Sequence, residues 1–307
     1  MKKILYSLIL LSFTFSGCDS NSYLIKSWKS SKGKLSVPES VIYDNGKKLL
    51  YVSNVNSKET PWKNNHGFIS KLNSRGKILE LKWVKDLKAP KGLTLGKKGH
   101  LFVADLDRVI DINSSTGKII QIFKAPEGVN RLNDITYDDK RDILFVSDSK
   151  TKDIYKISTN DGNFSLFYEK EKSSKAEQNG LLVDEDLLIM QGEVGKLKYV
   201  NIDTKSVSTI TRKLGIAIDG ITKYRDLGYI VSTWVGGVYF VSLNGDVKKL
   251  LGDNFKTADI FYSEDLDLLL IPDFSHSIRA YKIEGIAKHQ KREESQPLPM
   301  QMPPKKS

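Results

Sequence analysis

Between Pro38 and Ile283 the chain alternates short apolar runs with polar or charged turns, in an order that recurs. Each recurrence opens on a short mouth: PESV, PKGL, LNDI, QNGL, IDGI and TADI. A turn follows, then a strongly apolar run: KLLYVSN, HLFVAD, DILFVSD, DLLIMQG, GYIVST and LDLLLIPD. A third run comes next: GFISKLN, RVIDIN, DIYKIS, KLKYVN, GVYFVS and SIRAYKI. Five recurrences add a fourth, more polar run, KILELKWV, KIIQIFKA, NFSLFYE, SVSTITR and DVKKLLG, which the last one lacks. Short apolar and β-branched runs bounded by Asn, Asp and Gly turns read as strands. The second residues of the mouths are Glu39, Lys91, Asn133, Asn179, Asp219 and Ala258, with spacings of 52, 42, 46, 40 and 39.

Four antiparallel strands recurring about every 40 residues are the pattern of propeller blades. The expected fold is therefore all-β, a six-bladed β-propeller of four-stranded blades. Apolar second strands belong in the buried middle of a blade and polar fourth strands at its rim. The rim strand missing from the sixth unit has a donor in YLIKSWKS, residues 23–30. Its pairing with SIRAYKI closes the ring, which spares the chain an open strand edge. VNSKETPWKNNHG, residues 55–67, reads as an insertion in the first blade.

The two ends differ from this body. MKKILYSLILLSFTFSGCDS carries two lysines and an apolar run from Ile4 to Phe15. That run is shorter than the ~20 residues a bilayer span needs and suits a secretory signal. Its end, FSGC, resembles the lipobox of bacterial lipoproteins; the resemblance implies cleavage after Gly17 and a lipid on Cys18. Cys18 is the single cysteine, so the mature chain would hold no disulfide, in keeping with a thiol-free exported protein. The tail AKHQKREESQPLPMQMPPKKS lacks strand periodicity and reads as disordered. The expected organisation is a lipoprotein signal peptide at 1–17, an anchor linker at 18–22, the propeller at 23–285 and a tail at 286–307. It implies a monomer at the periplasmic face of a membrane in a bacterial cell envelope, anchored through Cys18.

The formal charge is +11, with 39% hydrophobic and 28% charged residues. The lysines are scattered along turns and strand edges. Nucleic-acid binding calls for a basic stripe with interleaved aromatics, which is absent, so no nucleic acid is expected as a partner; the charge reads as a solvated basic surface compatible with an anionic membrane.

In a propeller the innermost strands line a central channel, so the mouth residues form a ring about its axis. Glu39, Asn133, Asn179 and Asp219 put two carboxylates and two amide oxygens in that ring. Hard oxygen donors suit Ca²⁺ with water completing the shell, whereas zinc would want His or Cys. Asn-Asp, Asn-Gly and Asp-Gly are also turn dipeptides, a role that leaves Glu39 unexplained. Lys91 departs from the oxygen set. It has three readings here: it pairs with Glu39 and Asp219 in place of the metal, it holds a substrate carboxylate or phosphate beside the metal, or its stem carries the charge to the rim. No G-x-S-x-G elbow, P-loop or dinucleotide fingerprint occurs. His66 and His276, in loops, carry no catalytic expectation. Trp62, Trp83 and Trp234 read as packing, with Trp234 placed to edge a pocket.

PESVIYDNGKKLLYVSN, RLND, QNGLLVD and IDGI, in this order, resemble the motifs of the regucalcin (senescence marker protein), gluconolactonase and luciferin-regenerating-enzyme superfamily, over roughly Tyr23 to Glu284. The resemblance implies a divalent metal, Ca²⁺ above all, on Glu39, Asn133, Asn179 and Asp219. It also implies Asp219 as catalytic base or nucleophile and Arg131 as a substrate contact, with Lys91 a further one. The function so implied is hydrolysis of a lactone or other ester of a small-molecule substrate. The alternative is a non-enzymatic periplasmic propeller that binds a ligand or a protein, since fold does not imply function.

Overall fold

The structure is a computed structural model that describes residues 23–286, apart from 32–33, 58–64, 171–176, 194, 215–216, 253–255 and 275. Cys18, the signal region and almost all of the C-terminal tail lie outside the described residues, as does most of the first-blade insertion, with Trp62.

The described residues open with β1 (Leu24–Lys29) and then lay down blades in strict sequence. Blade 1 is β2 (Pro38–Asp44), β3 (Leu49–Asn54), β4 (Gly67–Asn73) and β5 (Ile78–Leu87). Blade 2 is β6 (Pro90–Leu95), β7 (His100–Asp105), β8 (Arg108–Asn113) and β9 (Ile119–Lys124). Blade 3 is β10 (Leu132–Asp138), β11 (Ile143–Asp148), β12 (Ile154–Ser158) and β13 (Phe164–Tyr168). Blade 4 is β14 (Leu181–Asp184), β15 (Leu187–Gln191), β16 (Leu197–Asn201) and β17 (Val207–Thr211). Blade 5 is β18 (Ile218–Tyr224), β19 (Gly228–Thr233), β20 (Val238–Ser242) and β21 (Val247–Leu251). Blade 6 is β22 (Phe261–Ser263), β23 (Leu268–Pro272) and β24 (Ile278–Ile283), completed by β1.

β1 pairs antiparallel with β24, Leu24 opposite Ile283 and Trp28 opposite Ala280. The first described strand thus locks onto the last blade, as YLIKSWKS predicts. First strands of adjacent blades lie side by side around the whole ring, β22 returning to β2.

Burial follows the distance from the axis. β2 is buried at every position, whereas in β9 only Phe123 is buried and Ile119, Ile120 and Ile122 are exposed. Among the described residues the large apolar clusters fall in the seams between blades, one per seam. Leu50 and Leu270 share the seam of blades 6 and 1, Tyr51 and Leu101 that of blades 1 and 2, Phe102 and Leu144 that of blades 2 and 3. Phe145 and Leu188 do the same for blades 3 and 4, Ile189 and Tyr229 for blades 4 and 5, Ile230 and Leu269 for blades 5 and 6. Alternate residues of one second strand therefore face opposite seams, as the period of two requires. Trp83 is half-buried and stacks on Tyr51 with centroids 5.0 Å apart, the packing role expected of it.

Candidate functional site in the channel mouth

At the mouths the ladder breaks. The pairing of first with second strand shifts register between Pro38 and Ser40, Pro90 and Leu93, Leu132 and Ile135, and Ile218 and Ile221. Such bulges leave residues out of the ladder and re-aim their side chains. Strand-poor residues therefore open these strands because one position in blade 1, Glu39, and two in each of blades 2, 3 and 5 are not strand-paired. A serine of the second strand takes up the freed N–H of the third mouth residue. Ser53 Oγ accepts from Ser40 N at 3.0 Å, Ser147 Oγ from Asp134 N at 3.0 Å and Ser232 Oγ from Gly220 N at 2.8 Å.

The second mouth residues do not stand as four oxygens converging on one point. Lys91, 3% exposed, donates from Nζ to Glu39 Oε1 at 2.8 Å, and both side chains are buried. Of the three readings open to Lys91, the rim position is thereby excluded. Asn179 donates its amide to Asp219 Oδ1 at 2.7 Å. Asn133 donates to Ser149 Oγ at 2.9 Å, a hydroxyl that itself reaches Gln178 O at 3.3 Å. Ala258, in the sixth mouth, is buried and brings no polar side chain. Two carboxylate oxygens, Glu39 Oε2 and Asp219 Oδ2, are buried with no hydrogen-bond partner. Arg131 is exposed; its backbone N–H is held by Asp148 Oδ2 at 2.7 Å, beside the buried cluster rather than in it.

The third mouth residues add two acids that the ring of second positions misses. Asp134 accepts from Ile135 N at 2.7 Å and, across to blade 4, from Leu181 N at 2.6 Å. Asp259 accepts from Ser40 Oγ at 2.5 Å across the closing seam, and its own N–H donates to Glu39 O at 2.9 Å. Each sits against a glycine of the preceding blade: a Cβ at Gly92 would lie 2.7 Å from Asp134 Oδ1, and one at Gly220 2.7 Å from Asp259 Oδ1. The signal was present one residue further along the same mouths, where Ser40, Gly92, Asp134, Gly180, Gly220 and Asp259 place an acid after every two small residues.

Glu39, Asp134, Asp219 and the half-buried Asp259 thus cluster near one ammonium, and three of these carboxyls are harder to ionise than a free Asp. Burial first, then the charges of Glu39 and Asp259, push the Asp219 carboxyl well above its ordinary range, with Lys91 and the Asn179 hydrogen bond pulling the other way. Burial and then Asp134 and Glu39 push Asp259 well up. Burial pushes Asp134 up to about 7 against the pull of its two backbone N–H groups.

Whether the ring suits a divalent cation can be asked of these contacts. The two orphaned carboxylate oxygens are what a cation would seek. Yet an ammonium already occupies Glu39, and an amide N–H2 rather than an amide oxygen faces Asp219. Among the described residues no three Asp, Glu, His or Cys side chains converge as a metal group. With Lys91 in place the four side chains do not fit a divalent ion, since a fixed positive charge stands where it would sit.

At the same face an aromatic pair edges the mouth. Trp234, exposed and just beyond β19, meets Phe274 edge to face with centroids 5.0 Å apart, and Lys256 Nζ lies 5.2 Å from the Trp234 ring. Phe274 packs in turn on Val37, Val55 and Ala89. His100 is bound to Asp111 at 2.8 Å and His276 to Leu35 O at 3.0 Å, both apart from the acid cluster.

Comparison with solved structures returns propellers. One match is a nidogen/laminin complex, with TM-score 0.60 and 15% identity, covering 74% of this chain and 84% of that one. Another is catalytically inactive virginiamycin B lyase from Staphylococcus aureus with quinupristin, with TM-score 0.58 and 15% identity, covering 85% of this chain and 99% of that one. The chain is a six-bladed β-propeller. At 15% identity the likeness shows the fold alone. No protein-family profile and no curated protein matches the sequence, so the regucalcin and gluconolactonase resemblance rests on the mouth motifs.

Proposed function

We propose that this chain is a ligand-binding propeller of the bacterial envelope, tethered by a lipid on Cys18, whose channel mouth recognises a small molecule rich in hydrogen-bond donors. The observation that carries this reading is the buried Lys91–Glu39 pair at 2.8 Å beside two carboxylate oxygens that lack partners. Lys91 supplies the positive charge that a Ca²⁺ ion would otherwise supply. The orphaned oxygens of Glu39 and Asp219 are then the acceptors for hydroxyl or ammonium groups of the ligand. Trp234 and Phe274 offer an apolar wall at the same face, and exposed Arg131 is within the mouth region for an anionic substituent. Lipid tethering and a periplasmic location follow from the FSGC resemblance and the signal-like N-terminus.

A second reading is favoured by the same orphaned oxygens: a Ca²⁺-dependent hydrolase of the gluconolactonase type, acting on a lactone or other ester. In it Glu39, Asn133, Asn179 and Asp219 would hold the ion, and Lys91 would leave Glu39 to meet the substrate. Calcium calorimetry on the soluble chain from Asn21 separates the two. The binding reading expects no heat of Ca²⁺ binding in the wild type. Saturable binding that is lost in a Glu39→Gln, Asp219→Asn double variant overturns it in favour of the hydrolase.

A further inference from the structure

Blade 4 breaks the rule that the other blades follow at the end of the second strand. The penultimate position there carries Ser53, Ala104, Ser147, Ser232 and Pro272 in the other five blades, all small or compact, and Gln191 in blade 4. The last position carries Asn54, Asp105, Asp148, Thr233 and Asp273 elsewhere, and Gly192 in blade 4.

Those last residues are the local organisers. Asn54 accepts from Ser36 N at 2.9 Å, Asp105 from Ala89 N at 2.7 Å, Asp148 from Thr151 N at 2.7 Å and Asp273 from Ser277 N at 2.9 Å. Thr233 accepts from Gly237 N at 3.1 Å. Gly192 can do none of this.

The Lys198 stem packs where a side chain at Gly192 would lie, and beside it a small open cleft lies between the rim of blade 3 and blade 4. Gln191 lines it and is 2% exposed, and neither its Oε1 nor its Nε2 has a hydrogen-bond partner. A buried donor or acceptor left unsatisfied is costly, so two on one side chain call for an occupant. Tyr168 and Met190 supply apolar wall, and Lys198 with Glu193, 3.3 Å apart, form an internal ion pair at its edge. The cleft sits one strand outward from Asn179, on the face of the channel mouth.

We propose that this cleft is a separate binding site for a cis-amide edge: a lactam, a cyclic imide or a primary amide. A carboxamide presents a donor and an acceptor side by side, and its complement carries acceptor and donor on one edge. The trans amide of a peptide backbone points its N–H and C=O in opposite directions and cannot take both bonds from one peptide unit. The enclosed part of the cleft is small and its mouth is open, so only the edge of a small group enters it.

The test uses the soluble chain from Asn21 and two probes, succinimide and N-methylacetamide. The readout is the Gln191 side-chain NH₂ resonance in ¹⁵N-glutamine-labelled protein, assigned by its loss in Gln191→Ser. That variant installs the serine of blades 1, 3 and 5 and keeps the fold testable; its melting temperature is measured alongside. A saturable succinimide shift is expected, with a Kd on the order of a millimolar for so small a ligand. N-methylacetamide should bind at least tenfold more weakly, and Gln191→Ser, followed through the Gln178 side-chain resonance in the same cleft, should lose succinimide binding without losing stability. Equal response to the two probes overturns the cis-amide assignment. No response, with a crystal structure showing an undisplaced water on both Gln191 atoms, overturns the site: about 15 Å³ suffices for a structural water.

Discussion

Two positions of the same repeat unit behave in opposite ways. The seam position on the second strand is Leu50, Leu101, Leu144, Leu188, Tyr229 and Leu269, and each is buried in the apolar seam to the preceding blade. The mouth position on the first strand is Glu39, Lys91, Asn133, Asn179, Asp219 and Ala258, different in almost every blade. Seams repeat because each solves the same problem, closing apolar surface between two twisted sheets. Mouths differ because they converge on one axis, where each side chain answers the charge of the others. A repeat position that keeps its chemistry carries the architecture; one that varies its chemistry at a fixed place carries the specificity.

The largest effect that would sharpen this contrast lies in the channel. Lys91→Ala should cost about 3–5 kcal/mol by stranding buried Glu39, and adding Glu39→Gln should recover most of that. Urea unfolding of the single and double variants measures it; equal losses in both would mean that the two residues do not act as a pair. A comparable loss is expected in the seams, but without any such rescue. Leu144→Ala should cost about 2–5 kcal/mol, and Leu50→Ala, Leu101→Ala and Leu188→Ala should cluster with it. A seam variant outside that cluster would break the equivalence of the blades.

Next comes pH. The Asp134, Asp219 and Asp259 carboxyls are raised in the folded chain, Asp134 to about 7, whereas an unfolded Asp titrates near 3.9. Between about pH 4 and pH 7 the folded state holds protons that the unfolded chain has released, so stability falls as pH rises through that window. Asp186 and Asp265, lowered by their cationic partners, lose their contribution only in more acidic solution and do not offset this slope. The melting temperature should be several degrees higher at pH 5 than at pH 8, by roughly 2–4 °C for each kcal/mol in a domain of this size. The slope should flatten in Asp134→Asn. A melting temperature that rises from pH 5 to pH 8 would contradict the buried-acid account.

The smallest effect belongs to the rim. Ile120→Ser, at a side chain 51% exposed on β9, should change stability by less than about 0.5 kcal/mol.

The strands were legible almost to the residue, because period and turn chemistry repeat in every blade. HLFVAD and GYIVST coincide with β7 and β19, and the closing partner of β24 was identifiable from a strand left over at the other end. The site was legible as a place but not as an arrangement. The mouths named Glu39, Lys91, Asn133, Asn179 and Asp219, yet the pairing of Lys91 with Glu39 joins two blades, and no local pattern encodes which neighbour an axial side chain turns to. Asp134 and Asp259 were hidden by their neighbours: an Asp beside a turn-forming Asn or a small Ala reads as turn chemistry until a bulge aims it inward. Gln191 was read simply as part of an apolar strand, and only the register against the other blades marks it as out of place.

A crystal structure of the soluble chain grown in millimolar Ca²⁺ tests the central claim most directly. The account predicts Lys91 Nζ within hydrogen-bonding distance of Glu39 and no ion between the mouths. An ion with carboxylate and amide oxygens at about 2.3–2.6 Å, and Lys91 turned away from Glu39, would contradict it.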